Sequence, residues 1–188
     1  GHYPAPTLKA WAAWLPPIRS GDMETIHQDL DFCGLNIYHS SKVRAGQKGP
    51  EPVPWEVTRP YTMMNWPITP EAHYWGPRFF FERYRKPIYM FESGMAATDC
   101  LAVDGKVHDA PRIDYHTRYL RSLEKAGRDG VDIRGYFVWS ILDVFEWQAG
   151  YRCRFGLVHV DRETLKRTPK DSYYWYKRVI KTNGKSLH

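Results

Sequence analysis

Three short apolar runs set the predicted framework of the chain. Residues 30–38, 87–92 and 133–142 are rich in β-branched and aromatic side chains and lack a clean alternation of polar and apolar positions. Continuous runs of this kind are typical of strands covered on both faces, as in parallel sheets. A fourth run, residues 155–160, follows Gly150 and is a candidate for a hairpin with neighbouring sequence.

Helical signals lie between these runs. Residues 69–71 (Thr-Pro-Glu) form a helix start, with a hydroxyl cap followed by proline at the first helical position. A second helix is predicted over residues 109–128, and a third over 171–181, with Asn-Gly at 183–184 as its stop. Residues 40–65 are rich in proline, glycine and charge, which predicts a long ordered loop.

This order of elements predicts an α/β fold with parallel strands. A complete eightfold barrel typically needs about 250 residues, whereas this chain has 188 residues and offers three strands of the barrel type. A doubly wound open sheet is the alternative, but no glycine-rich nucleotide-binding turn follows any predicted strand. We therefore expect one domain over residues 1–188 that is incomplete as a barrel.

The charge and hydropathy of the chain indicate which classes of binding partner to expect. The formal net charge is +6, which raises the question of nucleic-acid binding. However, Lys and Arg are scattered and mixed with Asp and Glu, and neither a basic arm nor a zinc-finger spacing is present. We expect no nucleic-acid partner, and no membrane partner either, because no apolar run has the length of a membrane span.

The cysteines and histidines indicate the cellular compartment of the protein and whether it binds a metal ion. Cys33, Cys100 and Cys153 are far apart, which predicts free thiols in a reducing compartment rather than a disulfide framework. A cytoplasmic location is therefore expected, although the start at Gly1 resembles the middle of a protein and leaves a lost secretion leader open. The eight histidines show no HExxH or similar cluster, so neither a metal nor a cofactor is expected.

Polar and aromatic residues gather at the predicted strand ends, where parallel α/β folds place their chemistry. The set comprises an amide, a phenol, two or three carboxylates and two indoles, and its members are Asn36, Tyr38, Glu92, Trp139, Ser140, Asp143, Glu146 and Trp147. Carboxylates and amides bind vicinal hydroxyls, and indoles cover the C–H face of a sugar ring. Each residue alone has a simpler explanation as a solvated charge, a turn residue or a core aromatic. Only the combination supports the hypothesis of a sugar site.

Several segments resemble glycoside hydrolase family 1. They are GLNIYHS (34–40), PIYMFESG (87–94), GYFVWSILDVFEW (135–147) and YRCRFGLVHVD (151–161), together with RIDYHTRYL (112–120), KDSYYWYKRVI (170–180) and the opening GHYP. The resemblance covers essentially the whole chain in the family's order. It implies the (β/α)8 TIM barrel of the family. This chain would be the C-terminal half, a partial barrel supplying strands six to eight with their helices.

The resemblance assigns roles around one carboxylate. Glu92 matches the nucleophile in the family's Thr-Glu-Asn-Gly run, Tyr38 matches a tyrosine that hydrogen-bonds it, and Asn36 is the strand-six neighbour of that tyrosine. Phe91 and Ser93 depart from the Thr and Asn of this run. Strand alternation predicts that Phe91 points to the opposite side of the strand from Glu92.

Other matches imply sugar-binding positions. Trp139 corresponds to a stacking floor on strand eight, and Glu146 with Trp147 corresponds to the pair that binds the glycone hydroxyls. Trp66 matches an aglycone-side tryptophan, and Phe155 matches an aromatic residue that lines the glycone end. The usual Asn before this Phe-Glu-Trp run is replaced by valine, which bears on fine specificity.

The resemblance implies hydrolysis of terminal β-D-glucosides by a retaining double displacement, with tolerance of β-galactosides and β-fucosides. The family's acid/base Glu lies in an Asn-Glu-Pro motif that does not occur here. The chain alone is therefore expected to be weakly active or inactive. Open sheet edges and an exposed half-interior predict a complementing N-terminal half in another chain, self-association, or a chain clipped from a longer protein. A non-catalytic sugar-binding module or an inactive half-barrel fragment is the alternative.

Overall fold

The structure, a computed structural model, describes residues 2–188 and separates into two compact units. One unit runs to Asp31 and contains α1 (Ala5–Ala10) and α2 (Asp22–Ile26), neither of which the hydrophobic pattern predicts. The other unit covers Phe32–His188. The expectation of one domain over residues 1–188 depends on how the units associate, and it stays a prediction.

The second unit is built around a parallel sheet. Its elements in chain order are β1 (Cys33–Asn36), β2 (Val43–Gly46), β3 (Gly49–Pro52), α3 (Ala72–Tyr84), β4 (Ile88–Ser93), α4 (Ala110–Arg128), β5 (Ile133–Val138), β6 (Val158–Val160), β7 (Arg167–Pro169), α5 (Asp171–Lys181) and a 3-10 turn at Lys185–Leu187. The central sheet has the order β1-β4-β5, and both of its strand pairs are parallel. The α/β class with parallel strands is therefore confirmed.

Most predicted elements exist, but several boundaries differ. The predicted hairpin after residue 155 is confirmed, since β6 pairs antiparallel with β7. The third predicted helix is also confirmed at α5, where Asn183 and Gly184 adopt positive φ angles of 48° and 80° just beyond its end. Residues 40–65 are not simply a loop, because β2 and β3 form an antiparallel hairpin within them.

The predicted cap of α3 is wrong. The helix begins at Ala72 with no side-chain cap, and the Thr69 hydroxyl instead accepts a hydrogen bond from the Ser40 backbone nitrogen at 2.8 Å. The same hydroxyl-bearing residue therefore joins the segment after β1 to the segment before α3. The Thr69 side chain matches the capping pattern, but it forms a tertiary hydrogen bond instead of capping the helix.

One face of the sheet is closed by α3 and α4. Ile88 and Met90 of β4 are fully buried and pack with Leu123 and Ala126 of α4. These two positions on α4 are three residues apart, so they lie on the same side of the helix. Burial of this stripe is what holds α4 against the sheet.

The other face, called here the open face, consists of Phe32, Tyr89, Phe91 and Phe137. Their rings contact one another with centroid separations of 5.2–6.2 Å. Phe91 and Phe137 nevertheless remain 44% and 54% exposed. The expectation of strands covered on both faces is therefore wrong within residues 32–188.

The loops after β4 and β5 and the starts of α4 and α5 contain a largely buried group of alternating charges, called here the ionic cluster. Its members are three acids and three bases: Asp99, Asp109, Asp143, Arg112, Arg154 and Lys170. Lys170 Nζ lies 2.5 Å from Asp99 Oδ2 and 2.8 Å from Asp143 Oδ1. Arg112 pairs with Asp99 at 2.6 Å and with Asp109 at 2.5 Å. The cluster thereby joins the loops after β4 and β5 to the starts of α4 and α5.

Candidate active site

Glu92 lies at the carboxyl end of β4, beside the end of β1. The Tyr38 hydroxyl donates a hydrogen bond of 2.9 Å to Glu92 Oε2. Backbone contact reinforces this approach, because Ile37 N donates to Glu92 O at 3.0 Å. The two residues are 54 positions apart in sequence, so the parallel pairing of β1 with β4 is what brings them together.

An irregularity in β4 turns the Glu92 side chain toward Tyr38. The pairing of β4 with β5 skips register between Met90 and Ser93, and the pairing with β1 shifts at Asn36. Ser93, rather than Glu92, returns to the buried side that faces α4. The expectation that Phe91 and Glu92 lie strictly on opposite faces is therefore wrong, because a bulge interrupts the alternation at this point.

Electrostatics favour Tyr38 as a neutral donor to the carboxylate. Burial raises the pKa of Tyr38 well above its usual range, and the hydrogen bond and negative charge of Glu92 raise that pKa further. The charge of Glu146 acts in the same direction. Loss of the phenolic proton would place a second anion beside Glu92, so Tyr38 keeps its proton and donates it in a hydrogen bond.

Aromatic rings border the Tyr38–Glu92 pair. Trp66 and Phe155 lie 5.1 Å and 6.3 Å from the Tyr38 ring, measured between centroids. Trp139 packs in the same cluster around the fully buried Phe155. His39, which the sequence did not single out, stacks on Trp66 at 5.4 Å with an interplanar angle of 29°. The structure therefore brings together five of the residues singled out from the sequence: Tyr38, Glu92, Trp66, Trp139 and Phe155.

Trp139 follows β5 and is fixed by contacts to the strand that carries Glu92. Its backbone nitrogen donates to Ser93 O at 2.8 Å, and the Trp139–Ser140 peptide is cis. A Cβ added at Gly94 would overlap the Trp139 carbonyl oxygen. Glycine at this position thus permits the close approach of the two strand ends.

Glu146 and Trp147 lie in a tight turn rather than a helix. Glu146 N donates to Gly150 O at 2.8 Å, and Gly150 N donates back to Glu146 O at 2.6 Å. Glu146 is half-buried and lies near enough to Tyr38 to influence its pKa, whereas the Trp147 side chain is 90% exposed. Asn36 is also exposed and lies opposite Glu92 in the pairing of β1 with β4.

Two tyrosines that the sequence argument missed contact the backbone under this site. Tyr115 and Tyr119, both on α4, donate their hydroxyls to the Tyr38 carbonyl oxygen at 3.0 Å each. Their spacing of four residues in the segment RIDYHTRYL indicated a shared helix face. Nothing in that spacing identified Tyr38 as their acceptor.

Neither metal chemistry nor membrane insertion has a structural signature in the part of the chain described. Among residues 2–188, no group of three or more His, Cys, Asp and Glu side chains is arranged to hold a metal ion. Over the same residues, none of the helices combines the length and apolar character that crossing a bilayer requires.

A carboxylate that is bound by a phenol and bordered by indoles, at the carboxyl ends of parallel strands, defines an α/β protein with a site suited to sugars. The chain belongs to glycosyl hydrolase family 1, whose model matches residues 1–185. The family inferred from the motifs is thereby confirmed.

Relatives with known activities match almost the whole chain. It is 45% identical over 186 residues to the 1,4-beta-D-glucan glucohydrolase of Thermotoga neapolitana and 44% identical over 186 residues to beta-glucosidase A of Thermotoga maritima. Each alignment covers 98% of this chain but 42% of the relative. The chain therefore spans less than half the length of these relatives.

Solved structures give the same result for the fold. The beta-glucosidase from Thermotoga maritima in complex with galacto-hydroximolactam matches with a TM-score of 0.87 and 43% sequence identity. That comparison covers 98% of this chain and 42% of the neighbour. A complex of the same enzyme with deoxynojirimycin matches with a TM-score of 0.87 and 42% identity.

Proposed function

We propose that this chain supplies the nucleophile-bearing part of a retaining β-glucosidase, with Glu92 as the nucleophile. The observation that carries the proposal is the 2.9 Å hydrogen bond from Tyr38 to Glu92 at the end of β4. Trp66 and Trp139 beside this pair provide apolar surface for a sugar ring. Family membership supports the same reaction class.

In the first chemical step, a Glu92 carboxylate oxygen bonds to the anomeric carbon while the bond from that carbon to the aglycone oxygen breaks. The leaving oxygen takes a proton from an acid/base carboxylic acid about 5–5.5 Å from the nucleophile. In the second step, water attacks the anomeric carbon, its proton goes to that same acid/base group, and Glu92 is released as a carboxylate. The acid/base group of this mechanism belongs to a part of the fold outside this chain.

Tyr38 has a defined part in this cycle. Its hydroxyl holds Glu92 Oε2, so one carboxylate oxygen is fixed while the other remains available for bonding to the sugar. Because burial and the neighbouring carboxylate raise the pKa of Tyr38, it remains a donor throughout the pH range in which glycosides are hydrolysed. Orientation of this kind lowers the entropic part of the activation barrier.

The proposed substrates are terminal β-D-glucosides, with tolerance of β-galactosides and β-fucosides. Glu146 would bind ring hydroxyls, Trp147 and Asn36 would complete the polar contacts, and Phe155 would line the pocket. A bifunctional beta-D-glucosidase/beta-D-fucosidase of Bifidobacterium breve, 40% identical over 179 residues, supports this breadth. The galacto-configured inhibitor in a Thermotoga maritima neighbour supports it as well.

We further propose that the chain forms strands six to eight of the family's barrel, as its C-terminal portion. In this assignment β1, β4 and β5 are consecutive barrel strands, and the open face is part of the barrel interior. Exposure of Phe91 and Phe137 on that face supports a partner that covers it. A complementing N-terminal half is the proposed partner, with self-association as the alternative.

Covalent labelling tests the assignment of the nucleophile. The chain is incubated with 2,4-dinitrophenyl 2-deoxy-2-fluoro-β-D-glucoside, whose phenolate leaves without protonation, and the adduct is located by peptide mapping. We expect one fluoroglucosyl group on Glu92, no label in Glu92→Gln, and undiminished label in the exposed control Glu163→Gln. A label on another residue, or equal labelling of Glu92→Gln, would overturn the proposal.

A non-catalytic sugar-binding module is the second candidate, because the chain keeps Trp139, Glu146 and Trp147 without the acid/base motif. Calorimetry with deoxynojirimycin separates the two candidates when it is combined with the labelling experiment. Binding without any covalent adduct favours the module, whereas binding together with an adduct on Glu92 favours the enzyme. Cellobiose should turn over far more slowly than a nitrophenyl glucoside, because its leaving group requires protonation.

A further inference from the structure

The carbonyl oxygen of Tyr38 accepts two buried phenols. Tyr115 and Tyr119 each donate to it at 3.0 Å. Their own side chains are 1% and 0% exposed, and their rings stack with centroids 3.9 Å apart. Both lone pairs of this carbonyl are therefore used by two donors on successive turns of α4.

Each phenol also contacts a second segment of the site. Tyr119 Oη accepts from Thr69 N at 2.8 Å, in the segment before α3. Tyr115 Oη lies 3.4 Å from the hydroxyl oxygen of Ser93, the residue that follows Glu92. The pair on α4 thus contacts the backbone of Tyr38 and the immediate neighbour of Glu92 at the same time.

We propose that Tyr115 and Tyr119 are positioning residues for the nucleophile, which fix the backbone of Tyr38 so that its hydroxyl donates to Glu92. This inference rests on the function proposed above. The hydrogen bonds of the two phenols reach Tyr38, Thr69 and Ser93 but not the Glu92 side chain, so we assign their effect to Tyr38. Burial raises the pKa of both phenols above the usual range, and they therefore remain donors to the carbonyl.

The geometry explains why two donors are needed. Tyr38 lies beyond the last residue of β1, where the strand ladder no longer holds its backbone. The Ser40 nitrogen is held by Thr69, and Thr69 is in turn held by Tyr119. Removal of the phenolic hydroxyls would free the turn that orients Tyr38, while the stacked rings would continue to pack against Met95, Ile68 and Ala97.

Phenylalanine substitutions isolate the hydroxyls from the rings. In Tyr115→Phe and Tyr119→Phe, the packing and ring contacts are retained and the bond to the Tyr38 carbonyl is lost. Tyr176→Phe is the matched control, because Tyr176 on α5 donates to the backbone oxygen of Tyr136 at 3.1 Å. All three variants should lower the thermal midpoint, since each loses a phenol-to-carbonyl hydrogen bond. Tyr119→Phe should lower it most, because it also leaves the buried Thr69 nitrogen without its acceptor.

The rate of Glu92 labelling by the fluorinated dinitrophenyl glucoside is the first readout. We expect Tyr115→Phe and Tyr119→Phe each to slow labelling roughly tenfold, because small displacements of a reacting group cost large factors in rate. Tyr176→Phe should label at the parent rate. In a Tyr38→Phe background, neither α4 substitution should slow labelling further, since their effect is transmitted through the Tyr38 hydroxyl.

A second readout does not require covalent chemistry. In protein labelled with carbon-13 at the tyrosine ζ carbon, the Tyr38 signal is assigned by its loss in Tyr38→Phe. Glu92→Gln then defines the shift that accompanies loss of the charged partner. Tyr115→Phe and Tyr119→Phe should move the Tyr38 signal in the direction defined by Glu92→Gln, whereas Tyr176→Phe should leave it unchanged.

The two readouts separate failure of the inference from failure of the proposed function. If the parent chain is not labelled but the Tyr38 signal moves as expected, the positioning role stands and the proposal that Glu92 acts as a nucleophile in this chain fails. If the parent is labelled but the α4 variants match Tyr176→Phe in both rate and signal, the positioning role is overturned. Full additivity with Tyr38→Phe would also overturn it, because the phenols would then act by another route.

Discussion

Two consecutive residues of β4 show opposite environments. Met90 is 0% exposed and packs beneath α4, whereas Phe91 is 44% exposed on the open face. Both side chains are large and apolar, so the difference comes from what the chain provides on each side of the sheet. Helices of this chain close one side, while the other side presents aromatic rings to solvent.

The contrast extends to polar groups. In the loops beyond β4 and β5, the ionic cluster pairs each of its charges with an opposite one; Asp143 also accepts from Gly156 N at 3.0 Å. On the open face, a Cβ added at Gly34 or Gly135 would overlap the ring of Phe91 or Tyr89. This surface is thus shaped for close ring packing yet left uncovered. The closed side is packed by residues of this chain, whereas Phe91 and Phe137 on the open face stay exposed.

Lys170→Met should give the largest loss of stability. Lys170 is fully buried, and the substitution leaves Asp99 and Asp143 without their shared cation. Removing one partner of a buried ion pair typically costs about 3–5 kcal/mol. Urea unfolding followed by circular dichroism measures the change. This result would show that the loops after β4 and β5 depend on the ionic cluster for stability.

Two controls accompany this substitution. Lys170→Arg keeps the charge and should retain part of the lost stability. Arg118→Met breaks an exposed pair with Asp114 and should leave the unfolding midpoint nearly unchanged. Equal midpoints for Lys170→Met and Arg118→Met would mean that water reaches the ionic cluster, which contradicts the buried geometry.

Met90→Ala should also destabilise the closed side strongly. Removing a fully buried methionine leaves a cavity among Ile88, Leu35 and Leu123 and typically costs about 2–5 kcal/mol. Met90→Leu nearly conserves volume and should cost below about 1.5 kcal/mol. Urea unfolding again measures the change in the free energy of unfolding. A loss under about 1 kcal/mol for the alanine variant is roughly what a surface substitution causes. Such a loss would disprove a closed core around Met90.

The sequence predicted the elements of the closed side better than it predicted the contacts. Apolar runs and helical periodicity located β1, β4, β5 and α4, because burial of apolar residues determines those patterns. The ionic cluster was not predictable in this way. Asp99 and Lys170 are 71 residues apart, and no periodic signal links charges over such a distance.

The candidate site also has features that the sequence predicted and features that it did not. Clustering of polar residues at strand ends follows from parallel topology, and the contact between Tyr38 and Glu92 was expected from the family resemblance. The bulge that turns Glu92 away from α4 was not expected, because strand alternation assumes a regular pleat. The sequence also does not indicate which backbone carbonyl accepts a side-chain hydrogen bond, as the Tyr38 carbonyl does from Tyr115 and Tyr119.

Two buried histidines give the closed side a pH dependence. Burial lowers the pKa of His73 to about 4 and that of His116 to about 3. The unfolded chain takes up these protons near pH 6.5, and the folded chain does not. Stability is therefore complete above about pH 6.5 and should fall as the pH drops toward 4, by about 1.4 kcal/mol per pH unit for each histidine.

Urea unfolding at pH 7.5, 6.0 and 5.0 measures this slope. His73→Gln retains a donor for the Ile37 carbonyl, which His73 Nε2 contacts at 3.0 Å, and should reduce the slope. His27→Gln, at an exposed position in the other unit, should leave the slope intact. Stability that stays constant or rises between pH 6.5 and 5 would show that these rings exchange protons with solvent while the chain is folded.

Phe91→Ala should cause the smallest loss of stability in the isolated chain. That loss should also depend most strongly on whether the chain associates with another. The ring is 44% exposed, so its removal should cost about 1 kcal/mol or less in dilute protein. If another chain covers the open face, the cost should rise with protein concentration, because binding to the folded state adds stability by mass action. Phe79→Ala, which removes a 60% exposed ring from α3, is the matched control, and its cost should not depend on concentration. A loss for Phe91→Ala equal to that of Met90→Ala at every concentration would mean that this chain closes both faces by itself.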